Sequence, residues 1–255
     1  MGQGIDEKEL RRRAIDGVRD EVEAFGSGAP SSQLIRRKGL VASLTPVSPQ
    51  RSLFNSVFLG DPAALEREYE GLAEMYDAAG VRAWTVWVAD EDRASAGFLA
   101  DRGHALDAAP RAMAMELNQL PDAPEAPDGV EPGPCDAPTA AVLNDSAYGY
   151  DENGFRAALA GETSIRWLGA YAGGEPVSCV GVIEIGDDCC VTGVATPSES
   201  RGRGIASWLL LRALATARAE GALTASLQAT KAGAPIYERL GFRDLGFVEM
   251  WELRR

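Results

Sequence analysis

Histidine is almost absent from this chain of 255 residues, which contains only His104. Hydrolases that activate a serine or cysteine need a nearby imidazole, and most zinc sites combine several histidines or cysteines. None of the four cysteines has a C-x-x-C spacing, so we expect neither such a hydrolase nor a bound metal. We interpret the cysteines as small buried thiols in a reducing compartment: Cys135, Cys179, Cys189 and Cys190.

Long apolar runs are also missing, although apolar residues make up 45% of the chain. No stretch approaches the roughly 18 uninterrupted apolar residues that a membrane-spanning helix needs. The first six residues are followed by charged residues rather than by the apolar core of a signal peptide. The sequence therefore predicts a cytoplasmic protein that has a buried core and no membrane partner.

Positive charge is scarce relative to negative charge. The 25 lysines and arginines face 38 aspartates and glutamates, for a formal net charge of −13. Such a surface repels phosphate backbones, so we expect no nucleic-acid partner. It attracts cationic molecules such as amines, although the acidity would equally serve to keep the protein in solution.

The first half of the chain alternates between helical and extended patterns. Apolar residues recur at helical spacing from Leu10 to Phe25, and Gly26–Gly28 ends that pattern. Asp61 and Pro62 have the residue types of an N-cap and a first helical position, which predicts a helix that Gly80 closes. The remaining predictions are strands at 40–44, 53–59, 84–88 and 111–117 and a short helix at 94–102.

The second half has a denser pattern of the same kind. A hairpin turn at Ala172–Glu175 separates two of its strands. We predict helices at 139–147, 154–159, 202–220 and 235–240, and strands at 166–172, 177–185, 190–196 and 223–228. Two closing strands are expected, one through Phe247 and one at 250–253.

Residues 121–138 contain six prolines among acidic and small residues. This composition is typical of an exposed linker between domains. We therefore predict one domain at 1–120 and another at 129–255, with 121–138 as a proline-rich linker that enters the second domain.

The two halves share a faint internal repeat with a constant offset of 138 residues. Ala96–Leu99 aligns with Ala234–Tyr237 at this offset, and Met113–Leu117 aligns with Trp251–Arg255 near the end of the chain. A repeat of this length indicates two related domains, of which the first has lost some strands.

The segment Val194–Ala206 joins a predicted strand to a long predicted helix, and Gly202 and Gly204 alternate with Arg201 and Arg203 at the helix start. Glycine allows a ligand to approach the backbone, and the first turn of a helix has free N–H groups. Together with the helix dipole, these donors make an anion site that suits a pyrophosphate. The alternative is an ordinary helix start that Ser200 caps.

This segment resembles the coenzyme-binding loop of the GNAT superfamily of N-acetyltransferases, with the pattern Arg/Gln-x-x-Gly-x-Gly/Ala after a Val-x-x-Pro strand. Glu199 occupies the Arg/Gln position. About thirty residues later, Gly233–Phe242 resembles the second GNAT signature, a helix that carries a tyrosine and ends in Leu-Gly-Phe. The resemblance covers residues 129–255. It implies an α+β fold of two GNAT-like domains, each a mixed, mainly antiparallel sheet flanked by helices.

The resemblance implies acetyl transfer from acetyl-CoA, as cosubstrate, to a primary amine of a small molecule by direct attack. Tyr237 would be the general acid that protonates the departing thiolate. A backbone N–H near Ala195 would stabilise the oxyanion. The implied cofactor-binding residues are Val194, Ala195, Thr196, Arg201, Gly202, Arg203, Gly204, Ile205 and Ala206.

Other parts of this hypothesis stay open. The general base is unassigned among Glu184, Asp151 and Tyr148, and a homodimer is compatible with the resemblance. A non-catalytic sensor or interaction protein that binds CoA is the alternative function. In the first half, Ala63–Glu66 aligns with the glycine loop but contains no glycine, and Leu99 replaces the tyrosine, which predicts a degenerate GNAT-like copy. His104 is interpreted as structural.

Overall fold

The structure is a computed structural model that describes residues 4–150 and 154–255. It is a mixed α+β fold in which mainly antiparallel strands are flanked by helices, as the resemblance implied. The helices are α1 Glu7–Ser27, α2 Pro62–Ala78, α3 Arg93–Ala100, α4 Ala137–Tyr148, α5 Gly154–Ala158, α6 Ile205–Ala219 and α7 Ala234–Arg239. No described helix has the length and apolar character needed to cross a membrane.

The strands follow in chain order. They are β1 Gln33–Arg37, β2 Leu40–Leu44, β3 Ser56–Leu59, β4 Ala83–Ala89, β5 Ala105–Ala108, β6 Arg111–Glu116, β7 Val130–Pro134, β8 Arg166–Ala172, β9 Glu175–Ile185, β10 Asp188–Ala195, β11 Thr224–Ala229 and β12 Arg243–Arg254. The chain divides into two compact units, neither of which is continuous in sequence. Unit 1 contains Met1–Gly17, Arg111–Arg156 and Ser164–Leu245, and unit 2 contains Val18–Pro110, Ala157–Thr163 and Gly246–Arg255.

Unit 1 is built on strands in the order β6-β11-β10-β9-β8-β7. The β10–β11 pair is parallel and the other pairs in this order are antiparallel. Helix α6 packs its apolar side against this sheet, with Trp208, Leu209 and Leu214 in the buried cluster. Burial of one apolar helix face on a sheet is the main source of stability in such a layer.

Unit 2 has strands in the order β1-β2-β3-β4-β12, and β5 pairs with β12. Asp61 caps helix α2 as predicted, because its carboxylate accepts from the Ala63 N–H at 3.1 Å. The core of this unit contains the stacked rings of Tyr76 and Trp84, whose centroids are 4.8 Å apart. The Tyr76 hydroxyl donates to the Ser43 carbonyl at 2.9 Å, so the buried phenol is satisfied.

Each unit contains the closing strand of the other half of the sequence. Strand β6 pairs with β11 along its whole length, and β12 pairs with β4 from Val248 to Arg254. The offset of 138 residues aligns β6 with the last residues of the chain and β11 with β4. Within each unit, a strand from one half of the sequence therefore pairs with a strand from the other half. The boundary at 121–138 stays a prediction.

Several elements differ from their predictions. Pro132 and Pro134 lie in β7, the last strand in the order of unit 1, which pairs with β8 on one side. An edge strand tolerates proline because the missing N–H groups are not needed for pairing on its outer side. Strands β1 and β5 were not predicted because their residues are mostly exposed and lack apolar alternation. The two closing strands form one strand, β12, which continues through Gly246 at φ +101°.

Candidate active site

The parallel strands β10 and β11 separate at one end of unit 1. Their register runs from Asp188 opposite Thr224 to Val191 opposite Leu227. Beyond this point β10 continues to Ala195 and β11 to Ala229 without pairing to each other. The separation leaves backbone groups of β10 without a ladder partner on the β11 side, and such groups need another partner. An extended ligand fits this position as an added strand.

A β-bulge interrupts the other side of β10. The register with β9 moves from Thr192 opposite Gly181 to Ala195 opposite Cys179, which leaves Gly193 and Val194 without a partner in either neighbouring strand. Gly193 has φ +55°, and a Cβ there would lie 2.4 Å from the Trp167 ring. Only glycine fits at position 193. We call the pair Gly193–Val194 the β10 bulge.

Side chains contact three consecutive carbonyls of this segment. The Asn144 amide lies 3.4 Å from the Gly193 carbonyl, and the Tyr148 hydroxyl donates to the Val194 carbonyl at 3.1 Å. The Ser178 hydroxyl donates to the Ala195 carbonyl at 3.0 Å. The acceptors of the segment are thus occupied by protein, which gives the separated strand a defined shape.

The segment continues into a loop that ends in helix α6. Gly202 and Gly204 have φ of +77° and +76°, and a Cβ at either position would meet no atom within 4 Å. Gly204 is the residue before the helix, and the first intrahelical bond runs from the Trp208 N–H to the Gly204 carbonyl at 3.0 Å. The backbone of this loop is therefore both left-handed and open to a bulky ligand.

The N–H groups from Gly202 to Ser207 have no acceptor among the described residues. Helix α6 has no side-chain cap and no acidic residue in its first turn. The alternative in which Ser200 caps this helix is wrong, because Ser200 lies in a short 3₁₀ turn that ends before the loop. The helix start thus keeps the free donors and the positive dipole that favour an anion.

The two arginines of the loop contact backbone carbonyls. The Arg201 guanidinium donates to the Thr196 carbonyl at 2.9 Å and to the Ala147 carbonyl at 2.7 Å. Arg203 donates to the Asp128 carbonyl at 3.0 Å. Carbonyls do not neutralise a guanidinium, so both positive charges stay at the loop.

Tyr237 lies on helix α7, which follows β11. Its ring packs on the core of unit 1 and edge-on to Phe242, with centroids 5.8 Å apart. Its hydroxyl has no hydrogen-bond partner among the described residues. Burial raises the pKa of Tyr237, and the neighbouring Tyr148 raises it further. The phenol is therefore protonated at neutral pH and free to donate.

The comparisons with known proteins agree with this geometry. Residues 163–244 match a family model described as "Acetyltransferase (GNAT) domain". The chain contains a GNAT domain. No curated protein matches the sequence. The GNAT domain thus includes the β10 bulge, the glycine loop and Tyr237.

Solved structures show the fold over nearly the whole chain. A GCN5-related N-acetyltransferase from Kribbella flavida is 20% identical and has a TM-score of 0.67, with 98% of this chain and 96% of that chain covered. Another from Sphaerobacter thermophilus is 17% identical, with a TM-score of 0.60 and coverage of 94% and 93%. A tandem GNAT protein from the clavulanic acid biosynthesis pathway is 14% identical, with a TM-score of 0.59 and coverage of 98% and 96%.

The structure bears differently on the three candidate bases. Glu184 is opposite Cys189 at the start of β10 and pairs with Arg166 at 2.8 Å. Six residues at about 3.3 Å each separate that point from Ala195, so Glu184 is roughly 20 Å from the bulge and does not fit the role. Asp151 lies outside the described residues. The Tyr148 hydroxyl donates to the Val194 carbonyl at 3.1 Å.

His104 has a structural environment in unit 2. Its Nδ1 donates to the Trp251 carbonyl at 2.9 Å, and its Nε2 accepts from the Tyr69 hydroxyl at 3.0 Å. Burial lowers the pKa of His104, so the ring is neutral and satisfied. Leu99, which aligns with Tyr237, is fully buried in the core of the same unit.

Proposed function

We propose that the GNAT domain transfers an acetyl group from acetyl-CoA to a primary amine of a small molecule by direct attack. One observation carries the proposal. Within Val194–Ala206, a strand separated from its parallel neighbour continues through a short 3₁₀ turn to an uncapped helix N-terminus framed by two left-handed glycines. This segment therefore offers an extended edge and an anion site in series, as an extended thioester with a pyrophosphate requires.

The glycine loop would hold the pyrophosphate. Backbone N–H groups of Gly202 to Ala206 would donate to its oxygens, and no described residue competes for them. Arg201 and Arg203 would add positive charge next to this site. Because these donors belong to the backbone, the Glu199 side chain at the Arg/Gln position removes none of them.

The segment Val194–Thr196 would hold the pantetheine arm along the free side of β10. An N–H of the β10 bulge would donate to the thioester oxygen, which gains negative charge as the amine attacks. Ala195 is a less suitable donor than Val194, because it pairs with Cys179 of β9. Val194 has no paired residue in that register, so its N–H is the more suitable donor.

Tyr237 would protonate the sulfur as the carbon–sulfur bond breaks. Its raised pKa keeps the proton on the phenol until a thiolate forms. The lack of a hydrogen-bond partner in the described structure leaves this proton available. The amine donates its electron pair to the carbonyl carbon, so no covalent intermediate with the protein is needed.

The acidic surface supports a cationic acceptor. With 38 acidic and 25 basic residues, the chain attracts a protonated amine at long range. We also propose that the first half is a degenerate GNAT-like copy without coenzyme. In support of this, Asp61 occupies a donor at the start of α2 that corresponds to the free donors of α6.

The test is calorimetric titration of acetyl-CoA into the wild-type protein, Gly204→Asn and Gly204→Asp. Both side chains tolerate a left-handed backbone and have open space at this position, so the two variants differ in charge alone. We expect binding at one site per chain for the wild type, and at least tenfold weaker binding for Gly204→Asp than for Gly204→Asn, because a carboxylate repels the pyrophosphate.

Equal affinities for the two variants would place the pyrophosphate elsewhere. Failure of the wild-type protein to bind acetyl-CoA would contradict the proposed function itself. If the wild-type protein binds acetyl-CoA, a screen of small primary amines for release of free CoA identifies the acceptor.

A further inference from the structure

The β10 bulge needs support from outside its own sheet. Gly193 and Val194 have no paired residue in the register with β9 or β11, and the Cys179 thiol of β9 lies 3.5 Å from the Gly193 carbonyl. Gly193 also has the widest conformational freedom of any residue type. A donor aimed at a developing negative charge is effective only when its direction is set before the reaction. The residues that hold this bulge therefore affect the chemistry.

Helix α4 supplies two of the side chains that hold the bulge. Asn144 and Tyr148 are four residues apart, so they share one face of the helix, and they contact the consecutive carbonyls of Gly193 and Val194. Arg201 closes the arrangement from the glycine loop by donating to the Ala147 carbonyl at 2.7 Å. The end of α4 is thereby tied to both parts of the candidate site.

Tyr148 is an unusual member of this set because its ring is on the surface. The residue is 47% exposed, yet its hydroxyl contacts a carbonyl 46 residues away in sequence. The ring is held in place by stacking on Tyr150 and Phe155, with centroids 6.1 and 6.4 Å away. A surface phenol that is held by ring contacts and whose hydroxyl reaches a carbonyl far away in sequence has the arrangement of a support rather than of core packing.

Tyr148 also lies close to Tyr237. Its electrostatic influence contributes to the raised pKa of that residue, after burial. The side chains of Tyr148 and Tyr237 therefore lie near each other, but their hydroxyls differ in hydrogen bonding. Tyr237 has a free hydroxyl among the described residues, whereas Tyr148 donates to Val194.

We propose that Tyr148 is a positioning residue for acyl transfer, whose hydroxyl holds the Val194 carbonyl and so restrains Val194, the residue whose own N–H would donate to the thioester. This inference rests on the proposed function. It gives Tyr148 no contact with the reacting atoms and no proton to transfer. Its effect passes through the backbone, so loss of the hydroxyl lowers turnover more than coenzyme affinity, which depends on the glycine loop.

The experiment compares Tyr148→Phe with Tyr171→Phe in the full-length protein. Tyr171 is a matched control, because its hydroxyl also donates from an exposed position to a backbone carbonyl, that of Pro134 at 2.6 Å, and lies on β8, two strands from β10. Phenylalanine keeps the ring contacts in both cases. Thermal melting verifies that both variants fold.

Two readouts are measured on each variant. The first is amide hydrogen exchange of the peptide that spans Thr192–Pro197, which we expect to be about tenfold faster in Tyr148→Phe and unchanged in Tyr171→Phe, because one hydrogen bond is lost. The second is steady-state acetyl transfer, in which Tyr148→Phe should lower kcat about tenfold while KM for acetyl-CoA stays within about twofold.

Each contrary outcome has a distinct meaning. Unchanged exchange in Tyr148→Phe overturns the claim that this hydroxyl holds the bulge. Faster exchange with an unchanged kcat overturns its role in transfer. If the wild-type protein shows no acetyl transfer, the proposed function fails, and the exchange data still report separately whether Tyr148 supports the bulge.

Discussion

Replacement of Gly193 by alanine tests how closely the β10 bulge packs against the Trp167 ring. The new Cβ would lie 2.4 Å from Cη2 and 2.7 Å from Cζ3 of Trp167, well inside van der Waals contact. An alanine at φ +55° also has the left-handed backbone penalty of about 1–2 kcal/mol. Overpacking against a buried ring adds about 1–3 kcal/mol, so we expect a loss of about 2–5 kcal/mol in the free energy of unfolding.

Gly173→Ala separates the two contributions. Gly173 has a similar φ of +60°, but no atom lies within 4 Å of its added Cβ. This control should lose only the backbone term of about 1–2 kcal/mol. Trp167→Phe shortens the ring that meets the new methyl, so the double variant should be less destabilised than the sum of the single variants, by about 1–2 kcal/mol.

The assay is urea unfolding of the four variants and the wild type, followed by far-UV circular dichroism. If Gly193→Ala loses no more stability than Gly173→Ala, the bulge accommodates the added methyl group despite the short distances to Trp167. If the double variant shows additive effects, Trp167 is not the group that makes alanine costly. Either result would refute the reasoning from steric contact.

Two further predictions concern the acid and the two halves of the chain. Tyr237→Phe should bind acetyl-CoA within about twofold of the wild type but lower kcat by about 10²-fold or more in an amine acetylation assay. Equal turnover would exclude Tyr237 as the general acid. A wild-type protein that binds acetyl-CoA without turnover would favour the non-catalytic sensor. A fragment of residues 129–255 lacks β6, the partner of β11, and the part of α1 in unit 1, so we expect it to be unfolded by circular dichroism. A chain cleaved within 121–128 contains all strands and should stay folded. A well-folded fragment that binds acetyl-CoA would instead support 129–255 as an independent domain.

The backbone features of the glycine loop could be predicted from the sequence because they are local. Gly202, Gly204 and the start of α6 lie within a few residues of one another, and their backbone preferences depend on residue type. Asp61 likewise capped α2 as predicted, since an N-cap needs only the next few residues. The free N–H groups of the loop follow from the same short segment.

Residue pairs far apart in sequence could not be predicted in this way. The acidic residue Glu184 was a reasonable base from its position on β9, but the antiparallel register places it at the wrong end of β10. Tyr148 was considered as a base, and only the approach of α4 to the bulge showed that its hydroxyl donates to Val194. The apolar pattern of a strand restricts its register, but it does not show which side chain of a distant helix reaches a given carbonyl.

Local sequence was sufficient to predict the helix starts, the left-handed glycines, and the order of strands and helices that resembles the GNAT pattern. The tertiary structure alone decided that β6 pairs with β11 and β12 with β4. It also decided that the proline-bearing β7 is an edge strand, and that the Trp167 ring packs against Gly193. The physical reason is that backbone conformation is a property of a few adjacent residues, whereas strand pairing and close packing depend on chain segments that meet only when the whole chain folds.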